Sequence, residues 1–130
     1  MMDARVRVLV ADDEASVRRG LRMQLQTEAD IEVVGEAWDR DSAVALTATL
    51  LPDVVVLDVR MPRGIEGIEA AEILRERYPG TQVVVLSMHD DARTRAQSVE
   101  AGAASFVAKS EPCERLVDAI LLAAGRGGRE

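Results

Sequence analysis

Aromatic residues are almost missing from this chain: one Trp, one Tyr and one Phe make up 2% of its 130 residues. A core therefore has to be assembled from Val, Leu, Ile and Ala, which suits a buried parallel sheet covered by helices. Cysteine is nearly absent too. Cys113 stands alone, so no internal disulfide can form, and no neighbouring Cys or His completes a metal set with it. A reduced compartment is its natural setting, and a helix-surface or half-buried position is expected. Basic charge is in deficit: 16 Lys and Arg against 23 Asp and Glu leave a net charge of −7, which disfavours direct contact with a nucleic-acid backbone. No apolar run approaches the roughly 20 residues of a membrane span, and the N-terminus lacks a signal-peptide pattern. A cytoplasmic location without membrane contact is the default expectation. What remains is a globular balance, 48% hydrophobic and 30% charged, in a length suited to a single core.

Short apolar runs recur along the chain at Val6 to Ala11, Ile31 to Gly35, Val54 to Leu57, Gln82 to Leu86 and Ala104 to Ala108. Most are continuous in Val and Leu rather than alternating, the mark of strands buried on both faces. The segments between them carry helical spacing, as in Val17, Leu21 and Leu25 or Leu116, Val117, Ile120 and Leu121. Alternation of strand and helix predicts an α/β fold: one parallel five-stranded sheet with helices on both faces. Leu51-Pro52, Tyr78-Pro79-Gly80, Ala101-Gly102 and Gly125 onward should end the second to fifth helices. Asp13 is a candidate cap for the first helix, Asp39 or Asp41 for the second, and Asp90 or Asp91 for the fourth. The domain is expected over residues 1–124, with 125–130 a glycine-rich, charged flexible tail that reads as the start of a linker to an output domain outside this chain.

Ligands of an open parallel sheet bind at the carboxyl ends of its strands. There the first strand delivers Asp12 and Asp13, the third Asp58, the fourth Ser87 and the fifth Lys109. Each has an ordinary explanation taken alone: a helix cap, a turn former, a solvated hydroxyl, a surface ammonium. Their placement at one sheet edge is what points to chemistry. Carboxylates gathered within a few ångströms repel one another unless a cation sits among them, and a hard divalent ion such as Mg²⁺ resolves that conflict while leaving room for phosphate oxygens. Metal and phosphate together imply phosphoryl transfer. Asp58 would be the nucleophile, Lys109 a mobile charge on the phosphoryl oxygens and Ser87 a hydrogen-bond donor.

The same residues resemble the receiver domains of bacterial two-component response regulators, specifically the subfamily usually joined to a C-terminal helix-turn-helix. The likeness is carried by Asp12-Asp13, by Asp58-Val59-Arg60-Met61-Pro62, by Ser87-Met88-His89-Asp90-Asp91, by Phe106 and by Lys109. It implies a flavodoxin-like sheet in the order 2-1-3-4-5 and a phosphoryl group taken by Asp58 from a partner histidine kinase with Mg²⁺ bound. Asp13, Asp58 and the Arg60 backbone carbonyl would ligate the metal, with Asp12 acting directly or through water. It also implies slow self-catalysed hydrolysis, but no turnover of a separate substrate. Ser87 and Phe106 would form the switch, Phe106 turning inward after phosphorylation. The face of the fourth helix, fifth strand and fifth helix would be the readout surface, with a homodimer expected there or on another helical face. DNA would be reached only through an output domain that these residues do not contain. The alternative is a stand-alone or pseudo-receiver signalling through protein contacts.

Rival classes fit less well. Aspartyl-phosphate hydrolases resemble an Asp-x-Asp arrangement, whereas Arg60 stands two residues after Asp58. A nucleotide- or flavin-binding module would need a glycine-rich loop where Asp12-Asp13-Glu14 stands. The chain departs from the family form in Arg63-Gly64-Ile65-Glu66-Gly67, one residue longer than usual, and in Ser110, where many members have proline after a cis bond. Glu14 and His89 read as solvated residues, Trp38 and Tyr78 as packing residues near helix boundaries.

Overall fold

A computed structural model of the protein describes residues 5–59, 66–88 and 92–126. Its elements are β1 Val6–Ala11, α1 Ala15–Leu25, β2 Ile31–Ala37, α2 Arg40–Leu50, β3 Val54–Leu57, α3 Glu66–Arg77, β4 Gln82–Ser87, α4 Ala92–Glu100, β5 Ser105–Ala108 and α5 Cys113–Ala123. The strands form one parallel sheet in the order β2-β1-β3-β4-β5.

Successive strand side chains point to opposite faces, so each continuous apolar run feeds two cores at once. Val8, Val10, Val54, Val56, Val84 and Leu86 face the layer completed by Leu25 of α1 and by Leu116, Val117 and Ile120 of α5. Leu9, Val55, Leu57, Val83 and Val85 face the opposite layer, completed by Ala43 of α2 and by Ala70, Ala71 and Leu74 of α3. Three of those four α2 and α3 positions are alanine, which lets the helices lie close to the sheet.

The second strand runs two residues further than its apolar run, to Ala37, because Glu36 finds partners outside the core: Arg18 and Arg22 of α1. Pairing with β1 shifts between Val8 and Leu9, so Val34 is an extra residue on β2. The first helix is not capped by Asp13. Its N-cap is Glu14, without a side-chain cap bond, and the Glu14 N–H donates instead to Asp12 Oδ1 at 2.9 Å. The choice left open for α2 falls on Asp39, whose carboxylate accepts from Ser42 N while the Ser42 hydroxyl accepts from Asp39 N. Residues 89–91, including His89 and both candidate caps of α4, lie outside the described residues.

Leucine is an unusual C-terminal residue for a helix that ends in the left-handed region, yet Leu51 sits at φ 48° after α2. Two contacts hold it: its N–H donates to Thr47 O at 2.8 Å, and the Arg7 guanidinium donates to the Leu50 and Leu51 carbonyls at 2.7 and 3.1 Å. A cation on the final carbonyls of a helix also meets the negative end of its dipole. Gly102, at φ 98° beyond α4, takes a backbone conformation that glycine adopts without strain. No peptide bond among the described residues is cis, Lys109–Ser110 included.

Ile120 is fully buried in the layer between α5 and the sheet. Ile120→Ala should lower unfolding stability by about 2–5 kcal/mol, read as a lower urea midpoint with an unchanged denaturant slope.

Candidate functional site

Three backbone hydrogen bonds set the site, each one residue past the end of a strand. Asp12 N donates to Ala37 O at 3.0 Å, Asp58 N to Ala11 O at 3.0 Å, and Lys109 N to Ser87 O at 2.8 Å. The parallel ladders pair Ala11 with Leu57, so β1 and β3 end level, and β4 runs on to Ser87, which pairs with Ala108 at the end of β5. Side chains that follow these ends therefore emerge at one edge.

There, one carboxylate oxygen each from Asp12, Asp13 and Asp58 lies within 4.8 Å of the others. Asp12 and Asp58 are buried, at 2% and 9% exposure, while Asp13 is open to solvent. Lys109 Nζ donates to Asp12 Oδ2 at 3.0 Å and stands 3.7 Å from Asp58 Oδ2. The structure thus brings together four of the residues expected from the sequence. Ser87 is fully buried at the end of β4. Phe106 is already buried, at 8% exposure, with the Arg95 guanidinium carbon 4.6 Å from its ring centre. Arg60 and its carbonyl lie outside the described residues.

An all-oxygen donor set with two buried carboxylates and one exposed fits a hard divalent cation that retains water. It does not suit a soft or nitrogen-seeking metal, since neither His nor Cys belongs to the cluster.

Several supporting residues carry no recognisable sequence signal. Arg18 donates to the Asp12 carbonyl at 2.7 Å and to Glu36 Oε1 at 3.0 Å, fastening the end of β1 to β2. Glu111 accepts from Ala108 N at 2.9 Å and from Arg115 at 2.8 Å, closing the turn that follows Lys109. The Ala108 N–H, and after it Arg115, holds the Glu111 carboxyl below its ordinary value. Gly67 lies directly on the site backbone: a Cβ there would be 2.3 Å from the Asp58 carbonyl oxygen and from Val59 Cα. Trp38, expected to pack, is 54% exposed, whereas Tyr78 does pack against the layer of Leu74 and Val83. Trp38 directly follows Ala37, the residue whose carbonyl holds Asp12, so it stands close to the site edge. Cys113 is half-buried, as expected, and burial pushes its thiol up.

An open parallel sheet bearing this acidic cluster and lysine defines a class of phosphoryl-handling signalling domains. Residues 8–121 match the family model of the response regulator receiver domain, and the chain belongs to that family. It is 38% identical over 120 residues to the transcriptional regulatory protein YxjL of Bacillus subtilis, covering 92% of this chain and 55% of that protein. It is 35% identical over 115 residues to the oxygen regulatory protein NreC of Staphylococcus epidermidis, covering 88% and 53%. The chain spans about half the length of these curated relatives. Among solved structures, it superposes with a TM-score of 0.87 on a LuxR-family two-component response regulator from Aurantimonas, at 34% identity over 94% of this chain and 87% of the other. The response regulator domain of Thermotoga maritima CheB gives a TM-score of 0.84 at 30% identity, covering 93% of this chain and 97% of that one.

Hydrogen bonding from Arg22, against the opposing effect of burial, holds the Glu36 carboxyl below its ordinary value, with Arg18 adding to the shift. A carboxylate depressed in the folded state contributes stability that is present above its unfolded value and lost as pH falls through its folded one. Glu36→Gln should therefore lower stability by up to about 1 kcal/mol at pH 7. Thermal unfolding followed across pH should show that gap closing on acidification through the carboxylate range.

Proposed function

We propose that this chain is the receiver of a two-component transcription regulator and that Asp58 accepts the phosphoryl group of a partner histidine kinase. The observation that carries the reading is the meeting of Asp12, Asp13 and Asp58 with Lys109 at one edge of the sheet. An Asp58 carboxylate oxygen would attack phosphorus, the bond from phosphorus to the histidine nitrogen would break, and the nitrogen would keep the electron pair. Lys109 stands near enough to Asp58 to neutralise charge on the transferred oxygens, and Ser87, buried at the end of β4, would donate its hydroxyl to them. Asp12, Asp13, Asp58 and the Arg60 carbonyl would hold Mg²⁺, whose contribution is to neutralise charge on the carboxylates and phosphoryl oxygens. Water attack on phospho-Asp58 would slowly reset the domain. No separate small molecule is turned over.

We further infer that Ser87 and Phe106 form the switch, biasing a two-state equilibrium by a local change of charge and packing. The domain is taken as residues 1–124, with 125–130 leading toward an output domain that would make the DNA contact. The α4, β5 and α5 face, or another helical face, would serve a homodimer. No described helix is long and apolar enough to cross a membrane, and we place the protein in the cytoplasm.

Incubation with acetyl phosphate and Mg²⁺ should add one phosphoryl group by intact mass. Asp58→Asn, or a chelator, should abolish the gain while circular dichroism stays unchanged. Absence of labelling in the unmodified protein would overturn the phosphoacceptor reading and favour a pseudo-receiver acting by binding alone.

A further inference from the structure

We propose that Glu66 is a positioning residue for Asp58, joining the N-terminus of α2 to the backbone that carries the acceptor; this rests on the phosphoacceptor reading. Glu66 opens α3, yet its side chain is not directed to solvent: the residue is 6% exposed. Its Oε1 accepts from the backbone N–H of Arg40 at 3.2 Å. Arg40 is the first residue of α2, and its N–H is one of the donors that a helix cannot satisfy internally. A carboxylate from another helix meets that donor, at the end of α2 where the helix dipole favours negative charge.

The bond matters to the acceptor because of the next residue. Gly67 lies so close to the Asp58 carbonyl and the Val59 backbone that no Cβ fits between them. The first turn of α3 therefore acts as a stop against the segment leaving β3, and Glu66 fixes where that stop sits. Val59, at 2% exposure, is pinned on the other side by the layer of Leu57, Ala70 and Ala71. Residues 60–65 join these two anchored ends. The second link between the helices, Arg40 to Glu69 at 2.6 Å, is only half-buried and joins two side chains rather than a side chain and the backbone, so it adds less to the position of the turn.

The test compares Glu66→Ala, Glu66→Asp and Glu66→Gln with the unmodified chain. Glutamine keeps an acceptor oxygen at the same reach, whereas aspartate keeps the charge and withdraws the oxygen by about 1.5 Å. At saturating acetyl phosphate and Mg²⁺, the initial labelling rate should fall roughly tenfold in Glu66→Ala and severalfold in Glu66→Asp, and stay within about twofold in Glu66→Gln. Glu69→Ala should leave the rate within about twofold. In metal-free protein, the amide resonances of Asp58 and Val59 should move in the Ala and Asp variants and not in the Gln variant. A Glu66→Ala chain that does not fold leaves the Asp and Gln pair to decide the matter. Equal rates and unmoved resonances across the variants would overturn the proposal, as would slowing in Glu66→Gln in step with loss of thermal stability. Failure of the phosphoacceptor reading would look different, since the unmodified chain itself would then take no label.

Discussion

The hydrogen-bond ladder of the sheet runs one residue past its strands, and the candidate site depends on that overrun. Donations from Asp12, Asp58 and Lys109 to the carbonyls of Ala37, Ala11 and Ser87 fix the backbone of each residue before its side chain does anything. The orientation is thereby set during folding, and no further ordering of the main chain is needed when charge arrives. Core packing keeps the ladder level: alternate strand residues are buried on opposite faces, so a slip of one residue would carry both sets of valines to the wrong layer.

A second constraint is electrostatic. Asp12 and Asp58 are buried beside one another and beside Asp13, and Lys109 is shared between the first two. Buried like charges are costly, and one ammonium does not balance three carboxylates. The fold tolerates this because the residues sit at the rim, with Asp13 in solvent, and because backbone groups contribute: Glu14 N–H meets Asp12. Stability is supplied by the apolar layers and is opposed by the rim, a division often found where a site needs charges that the fold alone would not choose.

The sequence made the apolar runs legible because burial on both faces demands uninterrupted Val and Leu, and it made the acidic pair, Asp58, Ser87 and Lys109 legible because strand ends are where a parallel sheet binds ligands. It misled where a local rule met a long-range partner. The second strand looked finished at Gly35, but Arg18 and Arg22 accommodate Glu36 and the strand runs on to Ala37. Asp13 looked like a helix cap, but Asp12 takes the Glu14 N–H and Asp13 joins the exposed side of the cluster. Trp38 looked like packing and stands in solvent. Glu66 gave no signal, because its partner is a main-chain donor 26 positions away, at a helix terminus that its own segment cannot reveal.

These supporting contacts share one form. Arg18 binds the Asp12 carbonyl, Glu111 the Ala108 N–H, Glu66 the Arg40 N–H and Arg7 the Leu50 carbonyl. In each, a charged side chain satisfies a backbone group where a regular element stops, the place at which intra-element hydrogen bonding runs out. Such bonds are stronger than neutral ones, and they hold the termini with side chains from outside the acidic cluster. An α/β domain that places chemistry at its strand ends faces this problem at every crossover, because the ends must be exact in position and are also where the ladder stops. Charged caps on main-chain groups meet both demands, and they explain how a chain with very few aromatic residues can keep a crowded, mutually repelling site in register.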